Sequence, residues 1–319
     1  MNYLKFIILL FCLNGICQQT PQFTQFTFNK YGYNPAAAGT NINSGFEVIL
    51  GMRRQWIGFE HAPVTNFLSF NYTIKPQRSY KRWHNIGFLL SKEQAGIYRN
   101  EGCYLSYTLH LPISKRYTMS FGLFAGVRNL AMDRNVISMS DPVYSATYSG
   151  FFYAYPDFIP GIRIYSKKMI FDVSVQQLYK NRQVQGNKQI GNKSVLVPQL
   201  YTTFGKKFNL DNGITLVPAL NVHTSFVNIP SMELNVMAYY GKRIGVGATV
   251  RNKDFISGIF QIRVFKNLTA GFSYDYSTNR LNSTAANSLE VMIGLTPMMT
   301  YMNDSKGTRS VAKCPNFDF

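Results

Sequence analysis

The residues best equipped for chemistry in this chain are four histidines, His61, His84, His110 and His223, and a scatter of carboxylates. None of the histidines has a second histidine four residues away or a cysteine at a ligand spacing, so no zinc site is expected. A Ser/His/Asp set can be assembled on paper from any serine-rich chain, but no Gly-x-Ser-x-Gly elbow exposes a nucleophile. The run Ile244-Gly245-Val246-Gly247-Ala248-Thr249-Val250 lacks the third glycine of a dinucleotide loop and continues as a strand. Asp133, Asp141 and Asp157 are expected in loops, where carboxylates bind calcium, but their spacing is not that of an EF-hand. Catalytic, metal and cofactor residues are therefore all expected to be none, and the chain does not read as an enzyme.

The elements that would have to position any site are strands. Residues Cys103, Leu105, Tyr107, Leu109 and Leu111 alternate with Tyr104, Ser106, Thr108 and His110. The same period of two runs through Tyr117–Arg128, Ile256–Val264 and Leu268–Tyr276. Such alternation makes one oily and one polar face. Segments of nine to eleven residues suit a tilted membrane crossing, whereas soluble strands average about five or six. Tyr and Phe gather at the segment ends, as an interfacial girdle requires. Fourteen segments are expected, near 46–56, 65–75, 84–91, 101–111, 117–130, 156–165, 169–178, 197–208, 214–224, 231–240, 244–251, 254–265, 268–277 and 288–295. Connections after even strands are mostly short, and the longest pieces, 131–155, 179–196 and 278–287, follow odd strands. That parity is the outer-membrane pattern of short periplasmic turns and long outer loops. The expected fold is all-β, a transmembrane antiparallel β-barrel of about 14 strands with periplasmic termini. His110 falls on the lumen face as a satisfied polar residue.

Four parts follow. Residues 1–17 read as a signal peptide, with Lys5 before the apolar run Phe6–Leu13 and cleavage expected after Cys17. The alternative is lipidation of Cys17, for which Leu13-Asn14-Gly15-Ile16-Cys17 is a poor lipobox. Residues 18–45 form a leader, 46–295 the barrel, and 296–319 a polar periplasmic tail. Cys103 and Cys314 remain after cleavage, and the strand map keeps them apart.

The charge points to membrane rather than nucleic acid. Lys and Arg number 33 against 15 Asp and Glu, yet charged residues are only 15% of the chain, below the usual quarter or so. The cations sit in small groups at segment ends: Lys115-Arg116, Lys167-Lys168, Lys206-Lys207 and Lys242-Arg243. No basic helix or nucleic-acid motif accompanies them, so nucleic acid is not an expected partner. Anionic headgroups are, which makes outer-membrane lipid one.

Three blocks carry a resemblance. Pro21-Gln22-Phe23-Thr24-Gln25-Phe26-Thr27-Phe28-Asn29 is followed by Asn34-Pro35-Ala36-Ala37-Ala38-Gly39-Thr40. Arg54-Gln55-Trp56-Ile57-Gly58-Phe59 precedes Ala62-Pro63-Val64-Thr65, and Lys313-Cys314-Pro315 lies near the end. Together these resemble the PorP/SprF family of the type IX secretion and gliding systems. The resemblance implies an outer-membrane barrel that is not itself the secretion pore. It supports export or surface retention of cargo such as adhesins, or links the membrane to periplasmic ring and peptidoglycan-binding components.

The leader has two readings from its residues. Asn34-Pro35 starts a turn, and Ala36–Gly39 permits close packing. With Gln22, Gln25 and Asn29 as hydrogen-bonding groups, the segment plugs the periplasmic mouth, or it merely leads into the first strand. Candidate partner-binding residues are Gln22, Phe23, Gln25, Asn29, Asn34 and Pro35 in the leader, with Arg54 and Trp56 at the outer end of strand 1. For those two the plainer reading is a snorkelling Arg and a girdle Trp.

Overall fold

The computed structural model describes residues 22–40, 45–74, 82–132, 152–178, 184–185, 188–189, 197–210, 213–225, 230–241, 243–252, 254–278 and 287–297. The expected signal peptide, nearly all of the tail, Asp133 and Asp141 lie outside the described residues.

Fourteen antiparallel strands close into a barrel. They are β1 (Phe46–Ile57), β2 (Val64–Ile74), β3 (Trp83–Ala95), β4 (Tyr98–Pro112), β5 (Thr118–Met132), β6 (Phe152–Tyr165) and β7 (Met169–Gln176). The second half holds β8 (Gln199–Lys206), β9 (Ile214–Thr224), β10 (Ser231–Tyr240), β11 (Ile244–Arg251), β12 (Phe255–Arg263), β13 (Leu268–Ser277) and β14 (Asn287–Leu295). Each strand pairs with the next, and β14 returns to β1 with Glu290 opposite Arg53. Phe208–Asn209 prolongs β8 beside β9. Closure leaves no sheet edge, the condition for crossing a bilayer with strands. No helix among the described residues is long and apolar enough to cross a membrane.

The alternation resolves into an outside and an inside. On β4, Leu105 and Tyr107 are exposed while Tyr104, Ser106, Thr108 and His110 are buried. On β13, Phe272, Tyr274 and Tyr276 point out, while Ser273 and Asp275 point in. The oily face is the outer one, where a membrane barrel meets lipid.

Three expectations need correction. Strands β3, β4, β5 and β6 are 13, 15, 15 and 14 residues long, taller than a membrane crossing needs. Their added ends carry polar residues on both faces, such as Lys92-Glu93-Gln94 and Arg99-Asn100-Glu101, which hide the alternation. The connection expected between segments 84–91 and 101–111 shrinks to Gly96-Ile97, because β3 and β4 both extend into it. Asp157 is not a loop residue: it lies within β6, fully buried.

Residues 22–40 lie inside the barrel. Asn29 caps a single helical turn, α1 (Lys30–Tyr33), by accepting from the Gly32 N–H. Asn34 caps a 3-10 turn, Pro35–Ala37, by accepting from the Ala36 N–H at 2.9 Å. Both follow the capping preference of Asn, and Pro35 fits the first turn, where no donor is needed.

Candidate functional site: the occupied lumen

The inner wall is not uniformly polar. Ile49, Phe67, Leu89, Tyr104, Phe124, Ile159 and Met292 point inward and form one buried cluster with Phe23, Tyr31 and Ala38 of the leader. Phe23 meets Phe67 edge-on at 5.0 Å, and Tyr31 meets Phe124 at the same separation. The Tyr31 hydroxyl shares a 2.5 Å hydrogen bond with Ser106. A second inward apolar group, Val217, Met237, Tyr239 and Ile259, fills the wall on the β9–β12 side.

Glycines make room for the leader. Gly122 on β5 and Gly161 on β6 stand directly opposite each other in the ladder. A Cβ at Gly122 would collide with the backbone of Pro35 and Ala36, and one at Gly161 with the Asn34 side chain. Close approach of two backbones requires glycine at such points.

The polar contacts have a direction. Turns leave carbonyls without local partners, and buried carbonyls need donors. Wall side chains supply them. Thr108 donates to Pro35 O at 2.8 Å, Ser120 to Ala36 O at 2.7 Å, and Ser174 to Tyr33 O at 2.8 Å. Trp83 Nε1 donates to Gly39 O at 3.0 Å, and His110 Nε2 to Ala38 O at 2.8 Å. His110 also stacks on Trp83 at 4.7 Å and accepts from the Tyr165 hydroxyl at 2.9 Å. The expected lumen histidine is thus satisfied on every side. Burial pushes the Tyr31 and Tyr33 phenols above their ordinary range, so both stay neutral.

Toward the other end, donors and acceptors exchange roles around a carboxylate pair. The N–H groups of Thr24 and Gln25 donate to Glu290 at 2.6 and 3.0 Å. Thr24 Oγ1 donates to Asp275 at 2.8 Å. Arg53 Nη1 bridges the two carboxylates, bonded to Glu290 and 2.7 Å from Asp275. Gln22 reaches across to His223 and accepts from Ser231 at 3.3 Å. His223, Ser231, Asp275 and Glu290 sit near the end that carries the odd-strand connections, whereas Trp83, His110 and Arg163 sit near the end that carries the even-strand turns. The leader therefore runs the length of the lumen. Its first described residue, Gln22, is at the long-connection end, opposite the end where β1 begins and β14 stops. That differs from a leader held at the short-turn mouth.

The candidate partner residues separate into two groups. Gln22, Phe23, Gln25, Asn34 and Pro35 turn to the wall of their own barrel. Asn34 Nδ2 donates to Ile162 O at 3.0 Å, for example. Asn29 is buried and spends its side chain on the Gly32 N–H of the leader itself. Arg54 and Trp56 are exposed near the long-connection end. Trp56 holds a left-handed backbone, φ +50°, a strained state for a bulky residue. Its N–H contacts Ser288 Oγ at 3.4 Å. Residue types alone did not reveal Arg53, Asp275, Glu290, Trp83 or the tyrosines of Tyr31-Gly32-Tyr33. The signal that finds Arg53 is parity: it shares the inward face of β1 with Ile49, and Arg54 does not. Further pairs brace the wall, with Arg163 bidentate on Asp172 at 2.5 and 2.6 Å and Arg251 on Glu233 at 3.0 Å.

A family model described as the type IX secretion system membrane protein PorP/SprF matches residues 16–295. No curated protein matches the chain. Among solved structures, the chain is similar to the Ralstonia pickettii toluene transporter TbuX, with a TM-score of 0.52 at 10% identity, covering 86% of this chain and 94% of that one. It is also similar to the Acinetobacter baumannii outer membrane protein Omp33, with a TM-score of 0.44 at 10% identity over 79% and 98% of the two chains. At such identities the shared property is the barrel fold.

Proposed function

Since the chain belongs to the PorP/SprF family of type IX secretion system membrane proteins, we propose that it is an accessory barrel of that system in the outer membrane. It supports export, docking or surface retention of secreted cargo such as adhesins through protein–protein contact. Its partners are the cargo and periplasmic ring or peptidoglycan-binding components, and it reaches the membrane by a cleaved signal peptide. The observation that carries this reading is the occupied lumen. The leader is bonded to β4, β5, β6 and β7 on one side and to β9, β10, β13 and β14 on the other. A barrel so filled is suited to presenting its rims rather than passing a protein. Arg54 and Trp56, exposed at the long-connection end of β1, are the candidate contacts for cargo, while the buried leader residues hold the filling in place. Deleting the gene and comparing surface and secreted proteins tests the reading. Selected cargo is expected to disappear from the surface while other outer-membrane proteins remain, and an unchanged surface contradicts it.

A second reading, a small-molecule transporter, is favoured by the fold shared with TbuX, itself a toluene transporter. Space lined by Thr27, Phe28, Glu47, Tyr239 and Gln261 lies beside the leader. Uptake or conductance that persists with the leader in place would select that reading.

A further inference from the structure

The fold sorts the surface charge by end. Lys115 and Arg116 lie between β4 and β5, Lys167 and Lys168 between β6 and β7, Arg243 between β10 and β11, and Lys266 between β12 and β13. All six are exposed, all stand at the short-turn end, and none has an ion pair among the described residues. The nearest described carboxylates, Glu47 and Asp172, turn inward and take Asn71 and Arg163. The exposed carboxylates of the described residues, Glu60 and Asp254, belong to the opposite rim. That rim mixes signs, with Glu101 3.6 Å from Lys92 and 3.4 Å from Arg99.

Successive turns of a barrel are two strands apart, about 10 Å, close to the Debye length of roughly 8 Å at physiological salt. At that spacing water and salt largely screen one cationic group from the next, so each can take its own anionic group and the turns together form a row of separate anion contacts. Exposed apolar residues sit among them: Ile113 and Tyr117, Tyr240, Val264 and Phe265. A protein partner docks on one patch. These cations instead follow the perimeter, immediately beside side chains that suit the acyl boundary, which is the layout of a lipid leaflet.

We propose that the short-turn rim is a collar that seats on anionic phospholipid headgroups. This is independent of any role in secretion. The full chain, purified in a nonionic detergent, is mixed with micelles containing phosphatidylglycerol or phosphatidylcholine. Retained lipid is counted by native mass spectrometry and thermal unfolding is followed in parallel. Phosphatidylglycerol is expected to be retained several-fold more than phosphatidylcholine, to raise the unfolding temperature, and to lose both effects at high salt. The variant K115Q/R116Q/K167Q/K168Q is expected to lose most of the preference, and K92Q/R99Q at the other rim to keep it. Equal retention of the two lipids overturns the proposal and hands the rim to an acidic protein. So does an equal thermal shift from inorganic phosphate alone, which would mark an ion site rather than a leaflet. The wild-type comparison of lipids and salt stands without either variant.

Discussion

Glu290 is the residue on which the upper half of the leader turns. It accepts from two leader N–H groups, from Ser273 and from Arg53. Removing one member of a buried charged set leaves the others unpaired, at a cost of about 3–5 kcal/mol. Glu290→Ala is therefore expected to lower thermal stability by that order and to expose the leader near Thr24 and Gln25 to protease, read by unfolding and limited proteolysis. Arg54→Ala removes an outward cation and is expected to change stability by less than about 0.5 kcal/mol. The inward position of Asp275 was legible from alternation, and so was that of His110. The pairing of Arg53 with Glu290 was not. It depends on closure of the first strand against the last, 237 residues apart, and period two says nothing of which strands close a ring.

At the scale of elements, the leader behaves as part of the core. Phe23, Phe26 and Tyr31 are each nearly or fully buried. Burial of such side chains stabilises by about 1.5–3 kcal/mol apiece. Gly161→Val is expected to push Asn34 out of its place and destabilise the barrel by about 1–3 kcal/mol, the range for overpacking, as measured by thermal unfolding. The turn at Asn34-Pro35 and the small run after it were readable in the sequence, because capping and turn chemistry are local. Whether that turn lay inside or below the barrel was not, because the inward Phe67 and Phe124, which receive Phe23 and Tyr31 of the leader, look, one strand at a time, like irregularities in a polar face. The direction of the leader gives a topological prediction. A cysteine at Gln22, in a Cys103→Ser/Cys314→Ser background, is expected to react with an impermeant thiol reagent from the long-connection side, and one at Pro297 from the other. Labelling of both from one side contradicts the threading of residues 22–40.

For the whole molecule, strand number and order were legible because a tilted crossing imposes both length and alternation on every strand. The extra height of β3–β6 was not, because above the membrane both faces are wetted and alternation ends. Among the described residues, the separation of charge between the rims follows from strand parity once the barrel closes, although each cationic group looked like an ordinary turn. The occupied lumen predicts that the reconstituted full chain gives little or no steady conductance in a planar bilayer.

The central question for the molecule is whether the filled barrel works by docking. The direct measurement is purification of the tagged protein from native outer membranes in mild detergent, with co-purifying proteins identified by mass spectrometry. Recovery of a large secreted surface protein or of periplasmic secretion components, reduced by substituting Arg54 and Trp56, is the predicted result. A solitary barrel that also conducts when reconstituted would contradict the docking account and establish the chain as a transporter.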